Sequence, residues 1–284
     1  MATLSYVFLL FYKPIKIVYE FQCSQLKPSE IIERTAGYST LGYSCRWLVH
    51  ESFLPLNSGR IIITKLSLFL EMCIFTHHNG KRTLTFLNPT LKKLTIFIIH
   101  YALAGHYYLV EIHRLVVNHP SQLLSQPKVT CLEEAEVIQA FNHHHLKQRR
   151  YLFQYYRPED RIFHMLVKKW RKSEITLPYY IGLPSLSPHT LGNDFIWQFK
   201  LVNYHLTHYS ALSSLSVEEI ISNFLFSFPN ANLDTAENWL AIRNYQQFLQ
   251  LNRLPNRPFH LIKNTTPYIE KWYRFHILAK PSKD

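Results

Sequence analysis

Glycine is scarce in this chain, with seven among 284 residues, whereas 19 phenylalanines and 18 tyrosines are present. Glycine is the default residue where the backbone must take a left-handed conformation, and glycine-rich loops commonly cradle phosphate groups. Folds that need many tight turns or such loops are therefore disfavoured. No Walker loop, Gly-x-Ser-x-Gly or His-Glu-x-x-His string appears in the sequence, so no reaction is indicated by a specific motif.

The composition is that of a folded, basic protein. Hydrophobic residues make up 47% of the chain and charged residues 18%, which excludes a disordered chain. The length permits one large domain or two ordinary ones. The formal net charge is +12, which favours an anionic partner such as nucleic acid or an acidic membrane surface.

The cysteines and the apolar segments indicate the compartment. The four cysteines lie far apart without a Cys-x-x-Cys pair, which is typical of thiols in a reducing environment. The longest apolar run, Leu94–Val110, contains two histidines and a glycine and is short for a bilayer span. It is interpreted as a buried core helix. The sequence therefore predicts a cytoplasmic protein without a transmembrane segment.

Local patterns predict a mainly α fold with some N-terminal β structure (α+β). Residues 3–21 are rich in Val, Ile, Phe and Tyr and fit one or two strands. The Asn79-Gly80 pair predicts a β-hairpin near 72–87. From Asn88 onward helices are expected to dominate, giving a C-terminal region like a helical bundle.

Two regions are predicted, an α+β region at 1–127 and a helical basic region at 128–284. Prolines, glycines and serines at 173–193 indicate a linker within the second region. Ser216 and Glu219 form a capping box at the start of one of its helices.

The segment Lys147–Lys172 is the leading candidate site. It contains nine Lys or Arg and two acids, with aromatic residues between the charges. Cations attract phosphates and aromatic faces stack on bases, so this surface predicts binding of DNA or RNA. The expected contact residues are Arg149, Arg150, Tyr155, Tyr156, Arg157, Arg161, Lys168, Lys169, Trp170, Arg171 and Lys172.

Residues 28–49 resemble a helix-turn-helix. Residues 29–36 would form the first helix, Gly37 the turn, and Thr40–Leu48 the recognition helix. The resemblance implies that Arg46 faces a DNA groove.

Two weaker patterns keep enzymatic alternatives open. Ser216–Ile220, Thr235 and Ile242–Leu249 are similar to the helical core-binding domain of tyrosine recombinases, a module that clasps DNA. Asp194, followed by Gln198 and Lys200, resembles the active-site strand of restriction-type nucleases, in which carboxylates hold magnesium.

The histidine clusters do not supply a ligand pair at helical spacing, so no metal site and no cofactor are predicted. The leading hypothesis is a non-catalytic nucleic-acid-binding accessory or regulatory protein. The alternatives are a metal-dependent nuclease or recombinase-related enzyme, and a protein-interaction subunit of a larger complex.

Overall fold

The structure, a computed structural model, describes residues 5–12, 15–55, 59–119, 122, 132–154, 161, 164–165, 168, 178, 180–185, 189, 191–207, 216–226, 235–252 and 266–275. The chain forms two compact units. The N-terminal unit comprises Met1–Ala102 and His106–Glu133, and the C-terminal unit comprises Leu103–Gly105 and Glu134–Asp284.

A mixed sheet of eight strands forms the N-terminal unit. The strands are β1 (Ser5–Tyr12), β2 (Ile15–Gln22), β3 (Ser44–His50), β4 (Ile61–Lys65), β5 (Phe75–Thr76), β6 (Arg82–Asn88), β7 (Lys93–Leu103) and β8 (Tyr107–Val116). Their order across the sheet is β1-β2-β3-β6-β7-β8-β4, and β5 pairs with β6 outside this path. The strands β2, β3 and β6 are parallel, whereas β1 is antiparallel to β2 and β7 to β6.

The parallel pairing of β2 and β3 depends on the helix α1 (Pro28–Thr40) between them. Parallel neighbours need a crossover connection, which is usually a helix. Pro28 occupies the first helical turn, where its missing N–H costs nothing. Beyond the helix, Gly42 takes φ +76°, and the Tyr43 N–H donates to the Tyr38 carbonyl, which turns the chain into β3.

The core of the N-terminal unit lies on the sheet face that α1 and α2 (Leu68–Met72) cover. We call it the main core, and it consists of Leu26, Ile31, Cys45, Trp47, Val49, Ile62, Leu66, Phe69, Leu70, Cys73, Leu84, Phe86, Phe97, Ile99, Val110 and Ile112. A smaller cluster of Ile17, Tyr19, Phe21 and Leu48 lies on the opposite face, because side chains alternate along each strand.

The mainly α prediction is wrong, because the described part of the N-terminal unit is dominated by the eight-stranded sheet. The largest error concerns Leu94–Val110, which was expected to be a core helix. It contains most of β7 and the start of β8, joined through Ala104–His106, with Gly105 at φ 70°. Periodicity alone does not distinguish a buried strand from a buried helix. The β-branched residues of this run favour the strand.

The second helix of the predicted helix-turn-helix is also absent. Residues Ser44–His50, which include most of the expected recognition helix, form β3. Nearby, β5 and β6 form a short hairpin at the Asn79-Gly80 turn, where Gly80 takes φ +75°. Its first strand has only two residues.

The described part of the C-terminal unit is helical. It contains α3 (Glu134–Gln154), α4 (Asp194–Thr207), α5 (Val217–Phe226), α6 (Ala236–Leu251) and α7 (Thr266–Tyr273). The Ser216 Oγ accepts from the Glu219 N–H, and the Ser216 N–H donates to the Glu219 carboxylate, which confirms the capping box. Among the described residues, no helix combines the length and the apolar content that a bilayer span requires.

The side chain of Gln198 on α4 holds the segment 181–185. Its Oε1 accepts from the N–H groups of Gly182 at 2.7 Å and Leu183 at 3.0 Å, and its Nε2 donates to the Leu183 carbonyl at 2.7 Å. Gln198 has no exposed surface. Gly182 takes φ +85°, and a Cβ there would lie 2.3 Å from the Phe195 ring, so only glycine fits this contact.

Replacing Gln198 with alanine should lower the free energy of unfolding by about 3 kcal/mol, because buried backbone groups lose their partners. Urea denaturation monitored by tryptophan fluorescence measures this change. The matched control is Gln247→Ala at an exposed position of α6, which should stay within about 0.5 kcal/mol of the wild type. Equal effects of the two variants would contradict the role assigned to Gln198.

The C-terminal unit should lose stability in mild acid. Burial lowers the pKa of His144 to about 3 and that of His145 to about 4. Both values lie below that of an unfolded histidine, so the unfolded chain binds protons first. Stability should therefore fall as the pH drops from about 6.5 towards 4, by about 1.4 kcal/mol per pH unit for each histidine.

Urea denaturation at several pH values tests this dependence. His145→Gln should give a shallower loss of stability, whereas the same change at the exposed neighbour His143 should leave the slope unchanged. A slope that is independent of His145 would refute the assignment.

Candidate functional site

Two polar side chains are buried side by side on β2. Glu20 and Gln22 each have 0% of their surface exposed, although the strand is otherwise rich in apolar residues. They are two residues apart, so both side chains lie on the same face of the sheet. This is the face of the main core, since Glu20 pairs with Trp47 on β3.

Helix α1 places two polar side chains near Glu20. The Arg34 Nη1 donates to Oε1 of Glu20 in an ion pair, in which the side chain of Arg34 is 37% exposed and that of Glu20 only 1%. Tyr38 follows one helical turn later, on the same side of α1. Burial, and then the negative charge of Glu20, raise the pKa of Tyr38 to about 12. The tyrosine therefore keeps its proton at neutral pH.

One acceptor on each β2 side chain is left without a partner. Oε2 of Glu20 and Oε1 of Gln22 are both buried and accept no hydrogen bond from the described residues. The amide of Gln22 is oriented by Ser24, because its Nε2 donates to the Ser24 carbonyl at 2.7 Å and to the Ser24 Oγ at 3.0 Å. Such unsatisfied buried acceptors cost about 1–3 kcal/mol each, so each calls for an explanation such as a bound water, a bound ion or a catalytic role.

The position of these residues in the sheet supports the same interpretation. Glu20 and Gln22 lie near the carboxyl end of β2, next to the carboxyl end of the parallel strand β3. In open sheets with parallel strands, ligands bind beyond these ends. At the same edge, Asn88 at the end of β6 donates to Glu51, which follows β3. Polar groups therefore gather where the three parallel strands end.

Glu111 on β8 is a second buried carboxylate, but its oxygens are occupied. Its Oε1 lies 3.1 Å from Arg60 Nη1 and 3.0 Å from His113 Nε2, and its Oε2 lies 3.2 Å from His100 Nε2. Its neighbours in sequence, Val110 and Ile112, belong to the main core, so Glu111 lies on the opposite face. We assign it a structural role, since its charge is balanced.

The Glu20 site can supply oxygen ligands for one divalent cation. Magnesium is commonly held by one or two carboxylates together with water and phosphate oxygens. Oε2 of Glu20 and Oε1 of Gln22 are two such oxygens, and neither has a hydrogen-bond partner in the described part of the chain. A site with several protein carboxylates is not formed, because no three His, Cys, Asp or Glu converge among the described residues. The positions paired with Glu20 are Val7 and Trp47.

The residues predicted to contact nucleic acid are dispersed between exterior and interior. Arg150, Arg161 and Lys168 are exposed, whereas Arg149 is 1% exposed and is among the largest fully buried side chains. As folded, Arg149 cannot reach a polyanion. Seven residues lie outside the described part of the chain, namely Tyr155, Tyr156, Arg157, Lys169, Trp170, Arg171 and Lys172. The predicted surface therefore stays a prediction.

Arg46 and Asp194 lie in secondary-structure elements that differ from those expected from the sequence. Arg46 lies on β3, where its guanidinium covers the ring of Phe75, and not on a recognition helix. Asp194 begins the helix α4 and is not on a strand. Its carboxylate accepts from the Ser185 N–H and Oγ and from the Trp197 Nε1, and thus holds the preceding segment. The resemblance of this segment to a nuclease strand is wrong.

Glu20 and Gln22 were not identified from the sequence, although a signal was present. The run Ile15–Gln22 is rich in β-branched and aromatic residues, which is typical of a strand that is buried on both faces. A glutamate within such a strand is not exposed to solvent. Isolated acids are almost never fully buried unless they are paired. The partner, Arg34, is 14 residues away, and only the crossover through α1 brings it to β2.

Comparison with known proteins shows that the N-terminal part of the chain is similar to one protein family. Residues 8–128 match the family described as "Competence protein CoiA, nuclease-like domain". No curated protein and no solved structure matches the chain. The matched region includes Glu20, Gln22, Arg34 and Tyr38. It does not include residues 207–258, so their resemblance to recombinases stays a prediction.

Removing Arg34 should destabilise the N-terminal unit, because the buried carboxylate of Glu20 loses its countercharge. We expect Arg34→Ala to lower the free energy of unfolding by about 2 kcal/mol, since Arg34 is partly solvated and the full penalty does not apply. Adding Glu20→Gln should recover part of the loss, measured by urea denaturation in a double-mutant cycle. The control, Arg114→Ala, removes an exposed cation and should have little effect. Additive effects of the two changes would exclude the pairing.

Proposed function

We propose that the chain acts on the phosphodiester backbone of nucleic acid, with its site at Glu20 and Gln22. The observation that carries the proposal is a buried carboxylate oxygen and a buried amide oxygen on one strand, neither of which accepts a hydrogen bond from the part of the chain that the structure describes. Two findings support it. The site lies at the carboxyl ends of parallel strands, and residues 8–128 match a nuclease-like domain.

The side chains around the site suit phosphodiester cleavage. Oε2 of Glu20 and Oε1 of Gln22 would hold a divalent cation, which supplies charge stabilisation at phosphate and activates water. Arg34 is partly exposed. Its guanidinium can leave the Glu20 carboxylate and bind a phosphate oxygen, since a guanidinium binds carboxylate and phosphate with similar geometry. The protonated Tyr38 hydroxyl can donate a hydrogen bond to the same group.

The charge of the chain supports nucleic acid as the substrate. The net charge of +12 attracts a polyanion, and the exposed cations Arg150, Arg161 and Lys168 add to this attraction. The non-catalytic binding predicted from the basic segment does not require Glu20. Cleavage and binding are therefore separable by experiment.

Cleavage of labelled single-stranded and duplex DNA and RNA with magnesium or manganese tests the proposal. The wild type should cleave at least one of these substrates. Glu20→Gln keeps the size of the side chain but removes its charge, and should lower the rate at least about a hundredfold. Binding of the same substrates, measured without divalent cations, should change little.

The matched control is Glu33→Gln, which removes an exposed carboxylate on α1 and should leave the cleavage rate unchanged. Circular dichroism verifies that each variant is folded. A wild type that binds nucleic acid with a steep salt dependence but never cleaves would refute hydrolysis and leave the non-catalytic function. Equal activity of Glu20→Gln and the wild type would refute the site.

A further inference from the structure

Arg46 on β3 lies on the face of the sheet opposite to Glu20. Its neighbours in sequence, Cys45 and Trp47, belong to the main core, so the side chain of Arg46 lies on the other face. The guanidinium carbon is 4.6 Å from the centre of the Phe75 ring and 5.8 Å from that of the Tyr19 ring. These aromatic contacts hold the planar group in place.

The positive charge of Arg46 is not matched by a described carboxylate. Its Nη1 donates to the Tyr19 hydroxyl at 3.2 Å, and no ion pair with Asp or Glu is formed among the described residues. The Nε–H is buried and has no hydrogen-bond partner within the described ranges of the chain. The Nε–H of Arg46 is therefore a donor that is available to a ligand. It lies on the edge of the guanidinium, and such an edge binds oxyanions through two hydrogen bonds.

A second unused polar atom lies in the same cavity. His77, before the hairpin turn, is 7% exposed, and its ring meets Phe75 edge to face at 4.8 Å between ring centroids. Its Nε2 lies 2.9 Å from the Thr83 Oγ1, whereas its Nδ1 is buried and has no hydrogen-bond partner among the residues that the structure describes. If the Thr83 hydroxyl donates to Nε2, the proton of the neutral ring is on Nδ1, which is then a donor.

These groups line one cavity within the N-terminal unit, which we call the Arg46 pocket. Its walls include Tyr19, Arg46, Phe75, His77, Thr83 and Thr85. The lining combines a fixed positive charge, an imidazole and three hydroxyl groups with apolar residues, namely the aromatic Tyr19, Trp47 and Phe75 and the aliphatic Leu48, Leu94 and Ile96. Aromatic walls lower the local dielectric, which strengthens the attraction between the guanidinium and an anion.

We propose that the Arg46 pocket binds a phosphate group, either as inorganic phosphate or as the phosphate of a mononucleotide. The unused Nε–H of Arg46 and the Nδ1 of His77 would donate to its oxygens, and the threonine hydroxyls lie within the same lining. A metal ion is excluded as the ligand by the permanent charge of the guanidinium. A neutral ligand would leave that charge uncompensated.

Two features distinguish this pocket from the site of the proposed function. The pocket and Glu20 lie on opposite faces of the sheet, and the pocket needs no divalent cation. Burial, followed by the nearby charges of Arg46 and Lys81, lowers the pKa of His77 to about 4. The imidazole is therefore neutral at pH 7, and the guanidinium supplies the charge for binding. The inference stands whether or not the chain cleaves nucleic acid.

Titration of the full chain with inorganic phosphate and with adenosine monophosphate tests the proposal. Phosphorus NMR and calorimetry, in buffer without divalent cations, should show saturable binding at one site. Arg46→Gln should weaken binding at least about tenfold, the size expected for one charge-assisted pair. Arg46→Lys keeps a positive charge but loses the planar edge of the guanidinium. Its affinity for phosphate should therefore lie between that of the wild type and that of Arg46→Gln.

Three further variants define the site. His77→Leu should weaken binding severalfold, because the imidazole donor is lost without a polar replacement. Arg114→Gln removes an exposed cation on β8, and Glu20→Gln removes the proposed catalytic carboxylate. Neither should change the affinity by more than about twofold. Circular dichroism shows whether the Arg46 variants keep the sheet.

The two ligands separate the possible sources of the phosphate. Equal affinity for both would assign the pocket to the phosphate group alone, whereas tighter binding of the nucleotide would show contacts with the base or sugar. Either result supports a phosphate site. Absence of saturable binding of both ligands by the wild type up to about 20 mM would overturn the proposal, as would unchanged affinity in a folded Arg46→Gln variant.

Discussion

The ion pair between Glu20 and Arg34 is the interaction on which the organisation of the N-terminal unit depends. Glu20 is completely buried, and an uncompensated charge in that position would cost several kcal/mol. Its countercharge arrives on α1, the crossover that makes β2 and β3 parallel. The same helix therefore determines the topology, neutralises the carboxylate and leaves one of its oxygens unused.

The buried carboxylates of Glu20 and Glu111 differ in the number of their oxygens that have partners. Glu111 meets an arginine and two histidines, and both of its oxygens are engaged. Glu20 has one oxygen in an ion pair and one without a hydrogen-bond partner among the described residues, and the amide oxygen of Gln22 likewise lacks one there. A chain selected only for stability would have little reason to keep two unsatisfied acceptors in one place. Burial alone does not distinguish these two acids, whereas the hydrogen-bond partners of their oxygens do.

The sequence predicted local structure better than it predicted the sheet. Ser216 and Glu219 lie three residues apart, and their capping box is present because it depends only on local contacts. The strands β7 and β8 were expected to be helical, because an apolar run buried on both sides has no periodicity that distinguishes the two structures. Their partners, β6 and β4, are set by pairing between distant segments of the chain.

The same limit applies to the candidate site. The basic segment of the sequence predicts a cluster of exposed cations, yet Arg149 is buried. The residues Glu20 and Arg34 are separated by a loop and about half of a helix, so their pairing is visible only after the chain folds. Arg46 was expected to contact DNA from a recognition helix. It lies instead on the strand β3, where its guanidinium contacts the ring of Phe75.

Strand β3 has an evolutionary consequence of its own. Trp47 packs in the main core, and Arg46 lines a pocket on the reverse face. A deletion or insertion of one residue between α1 and β3 would exchange these two sides along the whole strand, because alternation has a period of two. It would drive a guanidinium among apolar side chains and expose an indole. Apart from Gly42, whose positive φ favours glycine, this junction should accordingly tolerate replacement of its residues during divergence but resist a change of one residue in its length.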